Sequence, residues 1–300
     1  MQIGNFKVFV DLVETGSFSK AAKLNCITQS AVSQQLRAME KQYQVLVVDR
    51  GQKQLKLTAE GRFFYEAARR ILRAHDELTT GLLEMKRVIS GTLSIETIYS
   101  IGLHELPEMI RSFTRVYPDV NLRVEYRRAT QIYEHVLNNR TDIGMVAFPH
   151  KHPQLEVCVF KADRMVAICS PQHAFARRKS VGLADIAHQK FIAFEPDIPT
   201  RKAVDAAFKK QKLSVEPVME FDNVETLKRA VEIDAGVSIV PEVTVQQEVR
   251  QGALVQVPIK GVQLQRPLGL VYRKGRVLPP AMKRFIPFVM GGKIFSDGKK

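Results

Sequence analysis

T-G-S-F-S-K-A-A-K-L-N-C-I-T-Q-S-A-V-S-Q-Q-L-R-A-M-E-K-Q-Y, running from Thr15 to Tyr43, reads as two helices joined by a tight corner. Ser17 is a candidate N-cap, because a hydroxyl can accept from the free amides of a first helical turn. Phe18, Ala21, Ala22 and Leu24 supply a small apolar face, and Asn25-Cys26-Ile27 makes the corner. Thr28 is the second candidate cap. Ala31, Val32, Leu36 and Met39 recur at helical spacing as a buried stripe. That leaves Gln29, Ser30, Ser33, Gln34 and Arg37, with Thr28 at their head, on the opposite face. Glutamine, serine and arginine are side chains that read base edges in a major groove. A helix, a corner and a second helix with a polar outer face match helix-turn-helix geometry. On this stretch alone a plain helical hairpin with a solvated face fits equally well.

The neighbouring segments decide between the two. Upstream, Ile3 to Val13 reads as a helix with Phe6, Phe9, Val10 and Val13 on one side, stopped at Gly16. Downstream, Val45 to Thr58 turns to β-type composition, and two apolar runs flank Gly51-Gln52-Lys53. Three helices and a basic hairpin make a winged helix-turn-helix over residues 1–58. Arg50 and Lys53 then stand at the wing, within reach of a DNA backbone or minor groove.

Thr58 caps a long helix that forms a linker segment over residues 59–90. Phe64, Ala67, Ile71, Ala74, Leu78, Leu82, Met85 and Ile89 recur at alternating intervals of three and four residues, the pattern of a helix seated along a partner helix. Some 30 residues make about 45 Å of helix at 1.5 Å per residue, which outruns a small winged-helix core. This helix is expected to dimerise the chain.

From Gly91 to the end, residues 91–300, strands and helices alternate. Strands are expected at L-S-I-E-T-I, L-R-V-E-Y, D-I-G-M-V-A-F, M-V-A-I-C, F-I-A-F, P-V-M-E-F, V-S-I-V-P and P-L-G-L-V-Y. Helices are expected from Ile101 to Tyr117, Thr200 to Lys212, Val224 to Ala235 and Met282 to Met290. Such alternation argues for parallel sheet, here as two α/β subdomains with a cleft between them. The fold class is therefore α/β overall.

Bulk properties set limits. With 45% hydrophobic and 25% charged residues, the 300-residue chain is ordinarily globular. A formal charge of +14 favours an anionic partner such as nucleic acid. The excess is +5 in residues 1–90 and +9 in residues 91–300, so it does not locate the partner. Cys26, Cys158 and Cys169 are an odd, scattered set with no C-x-x-C spacing. They are expected to be small buried hydrophobes in a reducing cytoplasm. No signal-peptide core and no apolar run near 20 residues is present, so a soluble, cytoplasmic protein without membrane contact is expected.

No enzymatic constellation emerges. The sequence lacks a G-x-x-x-x-G-K-S/T loop, G-x-G-x-x-G and G-x-S-x-G, and His104-Glu105 is not followed by the second histidine of H-E-x-x-H. His150 and His152 flank a lysine without further ligands, so neither metal nor cofactor is expected. Strand-to-helix junctions are better candidates, since helix N-termini offer free amides to anions at strand ends. Three stand out: Ser100-Ile101-Gly102 with Ser100 as cap, Thr200-Arg201 with Thr200 as cap and Arg201 as an anion clamp, and Asn223. Arg128 and Thr130 are weaker additions. These residues make an effector cleft for a small organic anion.

The segments Phe9 to Asn25, Thr28 to Glu40 and L-T-A-E-G at 57–61 together resemble the LysR-type transcriptional regulators. The resemblance covers nearly the whole chain and is densest from Phe6 to Gly61. Two positions depart from it. Gln44 stands where the family has glycine after the recognition helix, and Asp234 replaces the first glycine of the later G-x-G-I-x-x-L-P motif. The resemblance implies a winged-helix domain, a linker-helix dimer and a two-lobed effector domain like a type 2 periplasmic binding protein. It places one lobe at about 91–161 and 266–295 and the other at about 162–265, with crossovers near Lys161 and Gln265. It implies a dimer of dimers, a homotetramer, on double-stranded promoter DNA, with a small-molecule inducer in the cleft altering DNA bending and contact with RNA polymerase. On this pattern Gln29, Ser30, Ser33, Gln34 and Arg37 fall on the base-reading surface and Arg50 and Lys53 on the wing. Ser100 to Gly102, Thr200, Arg201 and Asn223 fall on the inducer cleft. The alternative is a small-molecule binding protein whose N-terminal helices serve oligomerisation alone.

Overall fold

The structure, a computed structural model, describes residues 2–49, 55–85 and 89–291. The chain forms two units, Met1–Val88 and Ile89–Lys300. The first holds α1 (Ile3–Thr15), α2 (Phe18–Leu24), α3 (Gln29–Tyr43), β1 (Val48–Asp49), β2 (Lys56–Leu57) and α4 (Ala59–Met85). Its helix boundaries follow local chemistry. Gly16 ends α1 in a left-handed turn, with φ +62°. The Ser17 hydroxyl accepts from the Lys20 amide at the start of α2, and the Thr28 hydroxyl accepts from the Ala31 amide at the start of α3. Thr58 does the same for the Gly61 amide at α4. Gly61 has a steric role as well: a Cβ there would lie 1.9 Å from the Val47 carbonyl oxygen. Gln44 closes α3 at φ +54°, the left-handed position for which glycine is the unstrained choice.

The core of this unit gathers Phe9, Leu12, Ala21, Val32, Met39, Val47 and Ala68. Val48 pairs with Leu57 across the antiparallel hairpin. The α4 seam is divided in its use. Phe64 is packed inside the unit against Phe6, Phe9 and Tyr43, whereas Ile71, Leu78 and Leu82 are exposed. Ile89 leaves the seam altogether, because it lies beyond the helix and packs on the core of the second unit.

The second unit has two lobes. Lobe I comprises β3 (Gly91–Thr97), α5 (Tyr99–His104), α6 (Leu106–Val116), β4 (Val120–Tyr126), α7 (Ala129–Leu137), β5 (Ile143–Ala147) and α12 (Pro280–Val289). Lobe II comprises α8 (Leu183–Ala187), β7 (Phe191–Phe194), α9 (Pro199–Lys210), β8 (Pro217–Phe221), α10 (Val224–Glu232), β9 (Ser238–Pro241), α11 (Gln246–Gln251) and β10 (Val255–Val257). Two strands join them: β6 (Leu155–Cys169) and β11 (Gln265–Arg273). Residues 155–164 of β6 pair antiparallel with β11, and residues 165–169 pair with β9 and β10. The order is β10-β6-β11-β5-β3-β4. Only β3 with β4 and β5, and β7 with β8, are parallel, so the sheet is mixed where the alternation pattern suggested a parallel one.

Other expectations shift as well. The helix expected from Ile101 to Tyr117 is two helices, which break at Glu105 ahead of Pro107. The first ten residues of β6 escape the sequence pattern because Lys161, Asp163 and Arg164 interrupt its apolar run. Asp234 is left-handed at φ +61°, and its carboxylate accepts from the Ser170 hydroxyl at 2.5 Å. That is how the motif tolerates a residue other than glycine there. Gly236 is not replaceable in this way, since a Cβ would sit 2.3 Å from the Lys190 carbonyl oxygen. Among the described residues no helix is long and apolar enough to cross a membrane.

Candidate functional site

On α3 the buried side is Val32, Leu36 and Met39. Thr28, Gln29, Ser30, Gln34 and Arg37 are exposed and Ser33 is half-buried. Two of these are tethered: Ser19 donates to Gln29 Oε1 at 3.2 Å, and the Thr28 and Ser30 hydroxyls lie 2.9 Å apart. Gln34 and Arg37 have no side-chain partner among the described residues. The arrangement is a capped helix with donors and acceptors exposed along one side. Arg50 and Lys53 lie outside the described residues. Cys26, at the corner with φ +54°, is exposed rather than buried.

In the second unit a cavity of about 440 Å³ lies between the lobes, where the carboxyl ends of β3, β4, β7 and β8 meet their following helices and β5 runs out into Phe148. That is the usual place and size for a small ligand in an open α/β sheet. Ser100, Arg128, Thr130, Thr200 and Asn223 line it. Three expected residues do not. Ile101 is fully buried in the lobe I core. Gly102 serves packing, since a Cβ there would stand 2.4 Å from the Tyr126 ring and 2.7 Å from Thr97 Cγ2. Arg201 turns away into lobe II. Its Nε donates to both Asp205 oxygens at 2.8 Å, and its Nη1 donates to Phe194 O at 2.7 Å and Glu220 Oε1 at 2.6 Å. Arg201 and Asp205 are one helical turn apart on α9, which is the reason it is held there.

Ser100 and Thr200 line the cavity without capping their helices. The N-cap positions belong to Ile98 and Ile198, and the two hydroxyl residues sit inside the first turns. Asn223 does cap, accepting from the Glu225 and Thr226 amides at 3.0 and 3.1 Å. Arg128 bridges the lobes. Its Nη2 lies 2.7 Å from Glu195 and 3.6 Å from Asp222, and its Nη1 lies 3.4 Å from Asp197. A second bridge joins His104 Nε2 on α5 to Glu225 Oε1 on α10 at 2.8 Å. Burial pushes the Glu225 carboxyl up, but His104 and Lys228 outweigh it and hold it below its ordinary value.

Several lining residues had no sequence signal of their own. Tyr133 stacks on His150 at 4.0 Å between ring centres, and Phe148 is held left-handed at φ +50°. Lys202 is exposed and has no partner among the described residues. Arg266 is 2% exposed. It donates to Asp163 at 2.6 Å and to Ser100 Oγ at 2.8 Å, and it faces Asp163 directly across β6 and β11. Burial lowers its pKa from the ordinary value, against the pull of Asp163. The cavity is not strongly cationic. Arg127, Arg128 and Arg266 are met by Glu125, Glu195, Asp197, Asp222 and Asp163, and Lys202 adds an exposed cation. Cys158 and Cys169 are buried, and burial pushes the Cys169 thiol up to about 11, away from a nucleophilic thiolate. Among the described residues no cluster could hold a metal ion.

Two family models match the chain. Residues 3–62 match the bacterial regulatory helix-turn-helix protein of the lysR family, and residues 86–292 match the LysR substrate binding domain. The chain is 27% identical over 284 residues to the HTH-type transcriptional activator CmpR of Synechocystis sp., covering 95% of this chain and 93% of that one. In fold it is similar to a full-length OxyR variant from Pseudomonas aeruginosa, with TM-score 0.74, 18% identity and coverage of 97% and 94%. It is also similar to full-length CbnR, solved with its target DNA, with TM-score 0.68, 23% identity and coverage of 96% and 99%.

Proposed function

The chain belongs to the LysR family of transcriptional regulators, and on that premise we propose that it binds double-stranded promoter DNA under the control of a small organic anion in the inter-lobe cavity. The observation that carries the reading is the free, exposed pair Gln34 and Arg37, opposite the buried Val32, Leu36 and Met39. With Thr28, Gln29, Ser30 and Ser33 they form the base-reading face, and Arg50 and Lys53 add wing contacts to the backbone. The exposed Ile71, Leu78 and Leu82 on α4 suit a partner helix from a second copy. Two such dimers make a tetramer that spans a long promoter site in the cytoplasm and meets RNA polymerase there.

The effector reading rests on Ser100, Thr200 and Arg266, donors on both lobes and the connecting strand. Arg128, Thr130 and Asn223 complete the lining. An anion that draws these elements together would shift the lobe arrangement and hence the bending of bound DNA. Fluorescence anisotropy with a duplex from the protein's own upstream region tests the reading. Affinity should exceed that for an unrelated duplex and fall linearly on a log–log salt plot. Equal affinity for both duplexes would overturn it.

A further inference from the structure

We propose that Arg266 is the charge-selecting residue of the cavity and that the ligand it selects is a monocarboxylate with a flat, largely apolar body. The inference rests on the effector reading above and narrows it. The cations on the cavity wall are not equivalent. Arg127 is engaged by Glu125 and by the Tyr126 carbonyl, and Arg128 by three carboxylates of lobe II. Arg266 is different. Two of its nitrogens serve Asp163 and Ser100, while its buried Nε has no hydrogen-bond partner. A buried donor without an acceptor is costly and rare in a native protein.

Two hydroxyls of the cavity wall, Ser100 and Thr200, have donor capacity to spare. Ser100 Oγ accepts from Arg266, so its own proton is directed elsewhere, and it donates to no group among the described residues. The Thr200 hydroxyl, from lobe II, has no hydrogen-bond partner among the described residues. Both residues line the cavity, at 8% and 4% exposure. The cavity wall therefore carries a buried guanidinium N–H and two hydroxyls that donate to nothing among the described residues, beside a single buried acceptor in the same state, Asp163 Oδ1. A carboxylate, with two oxygens and no proton, supplies acceptors for such a set.

Charge sets the upper limit. The carboxylate of Asp163 already balances Arg266, and Asp197 and Asp222 also border the cavity. A doubly charged group such as a phosphate ester would meet these acids with only the exposed Lys202 uncommitted. Shape comes from the walls. Phe148, whose amide donates to Pro267 O at 2.7 Å next to Arg266, stands with Tyr133 and Phe194 around the same space. Flat faces of this kind hold a planar body by stacking.

Calorimetric titration of the full-length protein with cinnamate, cinnamamide, octanoate and phenyl phosphate tests the proposal. Cinnamate should bind at least tenfold tighter than each of the other three. In the double variant Arg266→Leu/Asp163→Leu, which removes both charges of the buried pair together, the preference for acid over amide should fall to within about twofold. Ser100→Ala, a milder change, should weaken cinnamate at least fivefold and leave cinnamamide within twofold. An undiminished acid preference in either variant overturns the proposal. So does tighter binding of phenyl phosphate or octanoate, which would leave the organic-anion reading standing. Binding of cinnamamide alone, or of no probe, overturns both.

Discussion

The outer face of α3 and the inter-lobe cavity are built on opposite principles. On α3 the functional side chains fall within ten residues, Thr28 to Arg37, and one helix directs them all. In the cavity Ser100, Arg128, Thr200, Asn223 and Arg266 come from five segments spread over 166 residues. On α3 Gln34 and Arg37 are exposed and make no side-chain contact with a partner among the described residues. Around the cavity Ser100, Thr200 and Arg266 are buried, and Arg266 ties Ser100 to Asp163. The lesson is that binding and stability are separable in the first region and coupled in the second.

The sharpest test of that contrast is a buried cation near the cavity. Lys228 is 1% exposed, and its Nζ donates to Glu248 at 2.7 Å and to Thr244 O at 2.8 Å, with Glu225 at 2.9 Å. Lys228→Met should cost the second unit about 3–5 kcal/mol in denaturant unfolding, because Glu248 is left buried without its partner. A loss below about 1 kcal/mol would break the claim of coupling. On α3 the corresponding change, Arg37→Ala, should weaken specific DNA binding by about 1–3 kcal/mol while the unfolding midpoint stays put. A fall in stability of similar size would erase the distinction.

The acid limb gives an intermediate effect. Glu225 is depressed in the folded state, so its stabilisation is present above the unfolded value and is lost as the pH falls through the folded one. Wild-type protein should therefore lose stability more steeply than Glu225→Gln below about pH 4.3, the ordinary glutamate value. Parallel unfolding curves across that window would remove His104–Glu225 and Lys228–Glu225 as contributors. The smallest effect belongs to Gln44→Gly. Relief of the left-handed strain at φ +54°, partly offset by a freer unfolded chain, should stabilise the first unit by about 0.5 kcal/mol. A destabilised variant would show that the Gln44 side chain matters more than its backbone.

The same contrast governs what could be read from sequence. Ser17, Thr28 and Thr58 were legible as caps because a cap is a local event, decided within four residues. The buried stripe of α3 was legible for the same reason. Around the cavity, local signals misled. Ser100 and Thr200 look like caps, yet the backbone enters each helix two residues earlier, at Ile98 and Ile198. Arg201 looks like an anion clamp, although Asp205 one turn on was a visible rival for it. Arg266 gave no signal, because its partner Asp163 is 103 residues away and the strand carrying Asp163 is too charged to read as a strand. The heptad seam does not act as one interface: Phe64 is held inside the first unit, and Ile89, beyond the helix, packs on the core of the second.

Gln34 offers the most direct measurement of the account, since it is uncharged, exposed and unpaired. Anisotropy titrations of wild type and Gln34→Ala should be run over a salt series, with the upstream duplex and with an unrelated one. A base-reading Gln34 predicts a loss of roughly 1–3 kcal/mol on the upstream duplex alone, with the salt slope unchanged on both. Identical affinities for wild type and variant on the upstream duplex, or an equal loss on both duplexes, would contradict it.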